Sequence, residues 1–305
     1  MFTIVGAGFG LYGYLPAVIN VSRNKVVLAE QYRQTIESRP ELEQYKESIE
    51  WRPSIAEAFS LASAAIIAIP PLAQGKLVEQ ALSVKGIKKL IIEKPILPRP
   101  DDSSALTETI ITKSKRFRVG YSFLYTDWYK ELKKKLQSPA FSLRIIWSFK
   151  ADHFFRDKET WKRYHSAGGG ALRFYGIHVI ATLASLGYRE VIFSRLEGET
   201  PDQPESWSAC FTGRTLPPCE VYVSTNADQS IFHVETLEPD GGMSLIHREN
   251  SPFAVSRTSQ GQDGRVPVLE RLIHSFAHDD DEYIGLYQAT NDLWKRAELE
   301  ENEAN

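Results

Sequence analysis

The sequence predicts an α/β protein of two domains: the first has a doubly wound parallel sheet, and the second is an α+β domain with a large mixed or antiparallel open sheet. Up to about residue 120, strand patterns alternate with helix patterns, which is typical of a parallel sheet covered on both faces. Beyond that point, strand patterns follow one another with few helices between them, which indicates an antiparallel or mixed sheet. With 305 residues, the chain is also too long for one small core. We therefore predict domains at 1–120 and 121–305, with a carboxy-terminal helix that is able to pack back on the first domain.

Short apolar runs that end in turn residues predict the individual strands. Phe2 to Val5 breaks directly into glycines, and Ala64 to Ile69 is ended by two prolines. In the first domain, strands are predicted at 2–5, 24–29, 64–69, 89–92 and 116–123, with a helix at 72–84. In the second domain, strands are predicted at 141–149, 191–196, 206–211, 220–225, 230–236 and 243–248, with helices at about 171–186 and 266–298.

Composition limits the classes of partner. The 36 lysines and arginines against 39 acidic residues give a net charge of −3, so charge offers no general basis for binding nucleic acid or an anionic membrane. No apolar stretch approaches the roughly 20 residues that cross a bilayer, and no basic leader precedes an apolar segment, so we expect a soluble, cytoplasmic protein. Cys210 and Cys219 lack metal-ligand spacing and are interpreted as reduced structural thiols. No metal site is expected.

The glycines after the first apolar run predict a dinucleotide-binding turn of the Rossmann type. Gly6 permits a tight turn after the strand, and Gly8 allows the backbone to approach a pyrophosphate at the N-terminus of the following helix. The phosphates are expected over Gly8, Phe9, Gly10 and Leu11. The third glycine of the usual G-x-G-x-x-G fingerprint is replaced by Leu11, which weakens the motif.

The end of the second predicted strand bears on the choice of cofactor. Glu30 follows Gly10 by twenty residues, the spacing expected for the carboxylate that accepts the ribose 2′-hydroxyl. We therefore predict NAD. Arg33 keeps NADP as the alternative, because a guanidinium there accommodates a 2′-phosphate.

Lys94 follows a parallel strand at its carboxyl end, where open α/β sheets bind their ligands. An amine at this position has the tunable pKa needed to exchange a proton with a substrate hydroxyl or carbonyl. The alternative is a surface lysine paired with Glu93 or another acid. Position alone does not separate these two interpretations.

A second cluster lies around the glycine triplet Gly168 to Gly170, which precedes a predicted helix. Such glycines free backbone N–H groups and allow close approach of a ligand or cofactor. His178, one helical turn after Phe174, is either a hydrogen-bonded core histidine or a site residue, and the adjoining glycines favour the site. The flanking side chains expected to stack on or hydrogen-bond to a sugar or phosphate, with core packing as their alternative, are Trp161, Arg163, Tyr164, Arg173 and Tyr175.

Together these motifs, in this order and at this spacing, make the sequence resemble the glucose-fructose oxidoreductase and inositol dehydrogenase (Gfo/Idh/MocA) family over most of its length. The motifs are Gly6-Ala7-Gly8-Phe9-Gly10 with Leu15-Pro16-Ala17 downstream, Ala68-Ile69-Pro70-Pro71, Glu93-Lys94-Pro95, and Gly168-Gly169-Gly170 followed by Gly176-x-His178. The resemblance implies a Rossmann domain and an α/β domain whose open sheet often mediates oligomerisation. It also implies oxidation or reduction of a sugar or cyclitol with NAD or NADP.

The resemblance assigns site residues as well. Lys94 matches the catalytic lysine and His178 the active-site histidine of the family, and Tyr175 is added here as a third catalytic candidate. The expected cofactor-binding residues are Gly6, Gly8, Phe9, Gly10, Leu11, Glu30, Ile69, Pro70, Glu93 and Lys94. The expected substrate-binding residues are Lys94, Trp161, Arg163, Tyr164, Arg173, Tyr175 and His178.

Departures from the family pattern leave the function open. The family aspartate four residues before the histidine is Phe174, the acidic residue three after it is Ala181, and Gln74 lies nearest to the histidine expected after the prolines. We predict hydride transfer between nicotinamide C4 and a carbinol or keto carbon of a sugar or nucleotide-sugar, the latter if Arg163 and Arg173 both face the cleft. The alternatives are a regulatory member that binds dinucleotide or sugar without turnover, and a reductase of an imine or tetrapyrrole. A homodimer or homotetramer is expected.

Overall fold

The computed structural model describes residues 1–253 and 261–299. The described chain divides into two compact units. The first unit comprises Met1–Ile96, Ala105–Ser122 and 261–284. The second unit comprises Leu97–Ser104, 123–253 and 285–299.

The first unit contains a parallel sheet. Its strands are β1 (Phe2–Val5), β2 (Val26–Ala29), β3 (Ile49–Arg52), β4 (Ala64–Ile67), β5 (Lys89–Ile92) and β6 (Arg116–Val119). All neighbouring strands are parallel and follow the order β3-β2-β1-β4-β5-β6. This is the doubly wound Rossmann order, in which the strand order reverses between β1 and β4 and opens a crevice at their carboxyl ends. The predicted fold class is confirmed.

Sequence reasoning missed strand β3. Its four residues Ile49–Arg52 include two charged side chains, and only Ile49 is fully buried, so no apolar run marks the strand. It forms because it lies at the sheet edge and pairs with the fully buried β2.

Helices connect the strands. They are α1 (Leu15–Ser22), α2 (Arg33–Glu37), α3 (Ile55–Leu61), α4 (Pro71–Ser83), α5 (Pro100–Thr112), α6 (Asp127–Lys135), α7 (Asp152–Phe155), α8 (Ile177–Leu186), α9 (Val266–His274) and α10 (Asp280–Leu299). Local signals fix several of their ends: Ser54 caps α3 by accepting the Glu57 N–H, and Pro71 begins α4. Both glycine-rich segments singled out in the sequence lead into a short π-helical turn, at Gly10–Tyr14 before α1 and at Ala171–Gly176 before α8.

The helical segment predicted at 266–298 is broken in the structure. Helix α9 ends at His274 and α10 begins at Asp280. The break exposes backbone carbonyls to two arginines of β6: fully buried Arg118 donates to the Ser275 carbonyl (2.9 Å), and Arg116 donates to that of Phe276 (2.7 Å). A continuous helix would use these carbonyls internally, so satisfying the buried guanidinium favours the break.

The second unit contains a mixed sheet, as predicted. Its strands are β7 (Ser142–Lys150), β8 (Glu190–Gly198), β9 (Pro204–Gly213), β10 (Leu216–Ser224), β11 (Asn226–Leu237) and β12 (Met243–Glu249). They follow the order β12-β11-β7-β10-β9-β8, with β7 and β10 parallel and the other pairs antiparallel. Alternate side chains of the central strands, including Ile145, Trp147, Val221 and Val223, are buried on one face. No helix within the described part of the chain has the length and apolar character to cross a membrane.

Candidate functional site

The glycine turn after β1 has the geometry that a dinucleotide requires. Gly6 has φ +137°, and a Cβ there would collide with the carbonyl oxygen of Ala68 at the end of β4. Its N–H donates to the phenol oxygen of Tyr32 (3.1 Å). Gly8 is exposed, and a Cβ built on it meets no atom within 4 Å, so the space above it is open. The turn therefore offers a cradle for a pyrophosphate at the crevice between β1 and β4.

Gly10 compensates for the missing third glycine of the fingerprint. It is buried, and a Cβ there would lie 3.1 Å from Cγ2 of Ile4 in β1. Close packing of helix on strand is the usual role of the third glycine. Because Gly10 supplies it, Leu11 is accommodated as a fully buried core residue whose N–H bonds back to the Gly8 carbonyl (2.9 Å).

Glu30 lies directly after β2 and is half-exposed. Arg33 forms an ion pair with its carboxylate, and these hydrogen bonds lower the pKa of Glu30. The Arg33 guanidinium also stacks on the Trp51 ring, 4.5 Å from its centroid. An ionised carboxylate and an oriented guanidinium therefore lie together at the carboxyl end of β2, where the sequence predicts contact with the cofactor ribose.

Lys94 is buried, with 8% of its surface exposed, in the loop after β5. The preceding Glu93 accepts a hydrogen bond from the Tyr14 hydroxyl (2.6 Å), which comes from the end of the glycine turn's helix. Burial raises the pKa of Glu93, against the opposing effect of Lys94, Tyr14 and Arg265. This hydrogen bond ties the Lys94 loop to the glycine turn at the carboxyl edge of the sheet. The predicted residues Ile69 and Pro70 follow β4 at the same edge, half-buried and exposed respectively.

Gln74 holds the Lys94 loop in place. Its side chain is fully buried, and Nε2 donates to the carbonyl oxygens of Glu93 (2.7 Å), Pro95 (3.0 Å) and Ile96 (2.9 Å). The Lys94–Pro95 peptide bond is cis. Gln74 thus occupies the place near which the family resemblance suggested a histidine, and it serves as a donor to the backbone.

Replacing Gln74 is expected to destabilise the protein. Gln74→Met should lower the free energy of unfolding by about 2 kcal/mol, because buried carbonyls lose their donor while the side-chain volume is retained. Gln74→Glu should cost more, since a carboxylate would face three carbonyl oxygens. Urea unfolding measures both, with Gln80→Met at an exposed position of α4 as the matched control. Equal stability of Gln74→Met and Gln80→Met would show that the hydrogen bonds of Gln74 contribute nothing to the free energy of unfolding.

In the second unit, the chain's own packing accounts for the glycine triplet. A Cβ on Gly169 would collide with the backbone of Trp161 and Lys162, and one on Gly170 would lie 2.6 Å from Pro204. The close approach predicted from these glycines is therefore made at least in part by protein backbone. Tyr164, half-buried, contributes its carbonyl as the acceptor of the Gly169 N–H (2.8 Å).

Tyr175 and His178 both lie beside Trp147. His178 is 6% exposed and stacks on Phe123, with ring centroids 4.7 Å apart and an interplanar angle of 18°. Tyr175 is half-buried and meets Trp147 edge-on at 5.7 Å. Phe149 packs against both Trp147 and Tyr175 (4.9 and 5.1 Å). These rings form an aromatic wall, defined here as Trp147, Phe149 and Tyr175, with an imidazole at one end.

Phe174 takes the place of the family aspartate and extends the aromatic packing. Its ring lies edge-on to Trp161 (5.0 Å) and to Tyr175 (4.7 Å), and the Lys162 ammonium lies 5.1 Å from its centroid. Phe174 therefore contributes ring packing at this position and supplies no carboxylate.

Both arginines near the triplet bind protein groups. Arg173 is buried and pairs with both carboxylate oxygens of Glu298 (2.7 and 2.6 Å). Arg163 donates to the His153 carbonyl (2.8 Å) and to Asp157 (3.0 Å). These contacts therefore give no support to recognition of an anionic substrate by the two guanidinium groups.

In each unit, residues beside the predicted site residues were not identified from the sequence. Tyr14 and Gln74 act on the Lys94 loop from helices elsewhere in the chain, and no local motif marks them. His153 lies beside Tyr175, with ring centroids 6.5 Å apart, and His153 was not singled out because it stands alone in its segment. Within the residues that the structure describes, no cluster of three His, Cys, Asp or Glu side chains is arranged to hold a metal ion.

Comparisons with known proteins bear on this geometry. Residues 1–121 match the model of the Gfo/Idh/MocA family, described as an oxidoreductase family with an NAD-binding Rossmann fold. A search of curated proteins finds no significant match. Among solved structures, the chain is similar to the WlbA dehydrogenase from Bordetella pertussis in complex with NADH and UDP-GlcNAcA. The identity is 12%, the similarity covers 100% of this chain and 96% of that chain, and the TM-score is 0.74.

Two further structures show the range of this fold. The scyllo-inositol dehydrogenase from Lactobacillus casei is 15% identical, with 98% of this chain and 96% of that chain covered and a TM-score of 0.66. The super-repressor mutant of Gal80p from Saccharomyces cerevisiae is 12% identical, with 98% and 95% covered and a TM-score of 0.70. At these identities the similarity shows the fold. The amino-terminal match agrees with the resemblance predicted from the motifs: residues 1–121 of this chain match the NAD-binding Rossmann domain of the Gfo/Idh/MocA oxidoreductase family.

Proposed function

We propose that this protein is an NAD-dependent oxidoreductase that interconverts a carbinol and a keto carbon of a sugar or nucleotide-sugar. The observation that carries the proposal is the burial of Lys94 beside Glu93, at the sheet edge that also bears the glycine turn. A buried amine there has a chemical use in proton transfer. Solved structures of the same fold that contain NADH and UDP-GlcNAcA, or that are inositol dehydrogenases, support the substrate class.

The residues of the turn fit the cofactor. The open space above Gly8 and the positive φ of Gly6 suit a pyrophosphate, and the carboxylate of Glu30 suits a ribose hydroxyl. When bound, the nicotinamide supplies or accepts a hydride at C4. We assign Gly6, Gly8, Phe9, Gly10, Glu30, Ile69, Pro70 and Glu93 to the binding of this cofactor.

Lys94 carries the proton in this proposal. In reduction, its ammonium donates a proton to the carbonyl oxygen as the carbon accepts the hydride; in oxidation, its amine takes the hydroxyl proton. In the second unit, His178 is proposed to hydrogen-bond to the substrate and Tyr175 to bind a substrate hydroxyl, while the aromatic wall is proposed to pack against the C–H face of a sugar ring. Trp161 and Tyr164 are proposed at the periphery of the substrate site.

An absorbance assay tests the proposal. The protein is mixed with NADH and a panel of keto-sugars and keto nucleotide-sugars, and separately with NAD and the corresponding alcohols, and the reduced cofactor is followed. We expect turnover with at least one pair. NADH binding without turnover across the panel would contradict the enzymatic proposal.

Glu30 is expected to set the preference for NAD. Glu30→Gln should weaken NADH binding by about tenfold, because a charge-assisted hydrogen bond to the ribose is lost. The same change should reduce or reverse the ratio of NADH affinity to NADPH affinity, because Arg33 loses its ion pair with Glu30 and becomes able to bind a 2′-phosphate. Fluorescence titration of both cofactors measures this, with Glu37→Gln in α2 as the control. Tighter binding of NADPH than of NADH by the wild-type protein would contradict the assignment.

A second candidate function is cofactor binding without turnover, as in a regulatory protein. It is favoured by Phe174, whose ring occupies the position of the family aspartate. In addition, the super-repressor mutant of Gal80p has the same fold. The absorbance assay above separates the two functions.

A homodimer or homotetramer completes the proposal. Its support is the set of large apolar side chains that the second sheet leaves exposed, including Phe193, Tyr222 and Leu245.

A further inference from the structure

Arg265 places a cation against the glycine turn. It lies immediately before α9, outside the residues that match the family model, yet within the first unit. Its guanidinium carbon lies 4.1 Å from the centroid of the Phe9 ring, and Nη2 approaches the Tyr12 hydroxyl at 3.5 Å. Phe9 directly follows Gly8, the glycine with open space above it in the proposed pyrophosphate cradle. The guanidinium stacked on this ring is therefore held against a residue that is adjacent in sequence to the cradle.

The surroundings of Arg265 hold its charge and its orientation. Asp263 accepts from Nε (2.9 Å) and Nη2 (2.8 Å), which fixes one edge of the guanidinium. Burial works against the charged form, but the hydrogen bonds and charge of Asp263 outweigh it and raise the pKa of Arg265 above its ordinary value. The group therefore remains a cation at neutral pH.

The same cation also acts on the Lys94 loop. Its charge opposes the raised pKa of Glu93, and Phe9 packs against Tyr14, which donates to Glu93. Arg265 thus lies within electrostatic reach of both ends of the crevice: the glycine turn and the Glu93 carboxyl. A dinucleotide pyrophosphate, with two negative charges, is the ligand that such a cation and an N-terminal helix turn would bind together.

We propose that Arg265 is a binding residue for the cofactor pyrophosphate, contributed to the Rossmann site by the carboxy-terminal part of the chain. The inference rests on the proposed dinucleotide binding but not on turnover. It assigns to Arg265 a direct part in affinity, in addition to its packing on Phe9. It also explains why a weak glycine fingerprint suffices, because part of the affinity comes from a charge that the fingerprint does not contain.

Titration of NADH and of ADP-ribose by calorimetry at low salt tests the inference. Arg265→Ala should weaken the binding of both ligands by at least about tenfold. Arg265→Lys should weaken it by about threefold, because lysine keeps the charge but loses the planar stacking and the paired N–H donors of the guanidinium. Added salt should weaken wild-type binding more than binding by Arg265→Ala, since screening acts on a charge that the variant lacks.

Asn20→Ala is the matched control for packing. The Asn20 amide donates to Glu270 (2.7 Å) and joins α1 to α9 without touching the turn. We expect this variant to bind NADH and ADP-ribose like the wild type. Wild-type affinity in Arg265→Ala, or an equal loss in Arg265→Ala and Asn20→Ala, would overturn the inference while leaving the proposed function intact. Failure of the wild-type protein to bind either ligand would overturn both.

Discussion

Lys94→Met should lower turnover by about a thousandfold and leave NADH affinity within about threefold of the wild type. Methionine matches the length of the lysine stem and suits a site that is 92% buried, so the loop is expected to keep its fold. The variant lacks the amine that exchanges a proton with the substrate when the hydride is transferred. Steady-state rates on the best substrate of the panel, with fluorescence titration of NADH, measure the two effects separately.

Lys94→Arg distinguishes proton transfer from charge alone. Arginine retains a positive charge but does not release its proton, so its turnover should remain as low as that of Lys94→Met. Lys88→Met, at an exposed position just before β5, is the control and should retain full activity. Undiminished turnover in Lys94→Met would remove the assigned chemistry, and loss of NADH binding would reassign Lys94 to holding the cofactor.

Acid should destabilise the second unit well before its carboxylates are neutralised. Burial, reinforced by Lys162 and Arg163, lowers the pKa of His153 from 6.5 to about 4. Burial, reinforced by Arg173, lowers the pKa of His165 from 6.5 to about 3. Above pH 6.5 both imidazoles are neutral in the folded and unfolded chain. As the pH falls below 6.5, these two imidazoles become protonated in the unfolded chain but remain neutral in the folded chain.

Stability should therefore fall between pH 6.5 and about 4, by about 1.4 kcal/mol per pH unit for each histidine, or several kcal/mol in total. Urea unfolding at a series of pH values, followed by tryptophan fluorescence, measures this slope. His153→Gln and His165→Gln should each flatten it, because glutamine does not titrate. His274→Gln, at an exposed position of α9, should leave it unchanged. A pH-independent free energy of unfolding across this window would contradict the prediction.

The fold was largely predictable because the burial of a strand determines the local pattern of apolar and polar residues. Strand β4 is an apolar run that is buried along its whole length, and in β7 buried residues alternate with more exposed ones. The sequence pattern of each strand therefore indicates its environment. The edge strand β3 needs only one buried side chain and carries no such signal. The break between α9 and α10 was hidden because its cause, the buried Arg118, lies on β6.

The candidate site was predictable only where its residues form motifs. The glycine turn and Lys94 stand in contiguous patterns, and Lys94 and His178 gained their roles from the family resemblance. Gln74 and Arg265 act on these motifs from distant parts of the chain, through hydrogen bonds and ring contacts that no spacing rule describes. The same limit applies to Arg173, whose partner Glu298 lies in the last helix.

Arg118 also bears on how the protein is synthesised. Its guanidinium is fully buried and is matched by Asp280 (2.6 Å) and the Ser275 carbonyl. While these partners are still inside the ribosome, the nascent Rossmann sheet would have to bury a cation without a counter-charge, which is strongly unfavourable. We therefore expect the amino-terminal unit to reach its native packing only after Ser275 and Asp280 have been synthesised. A fragment that ends at residue 121 retains the motifs of the first unit, and we expect it to be much less stable than that unit in the full chain.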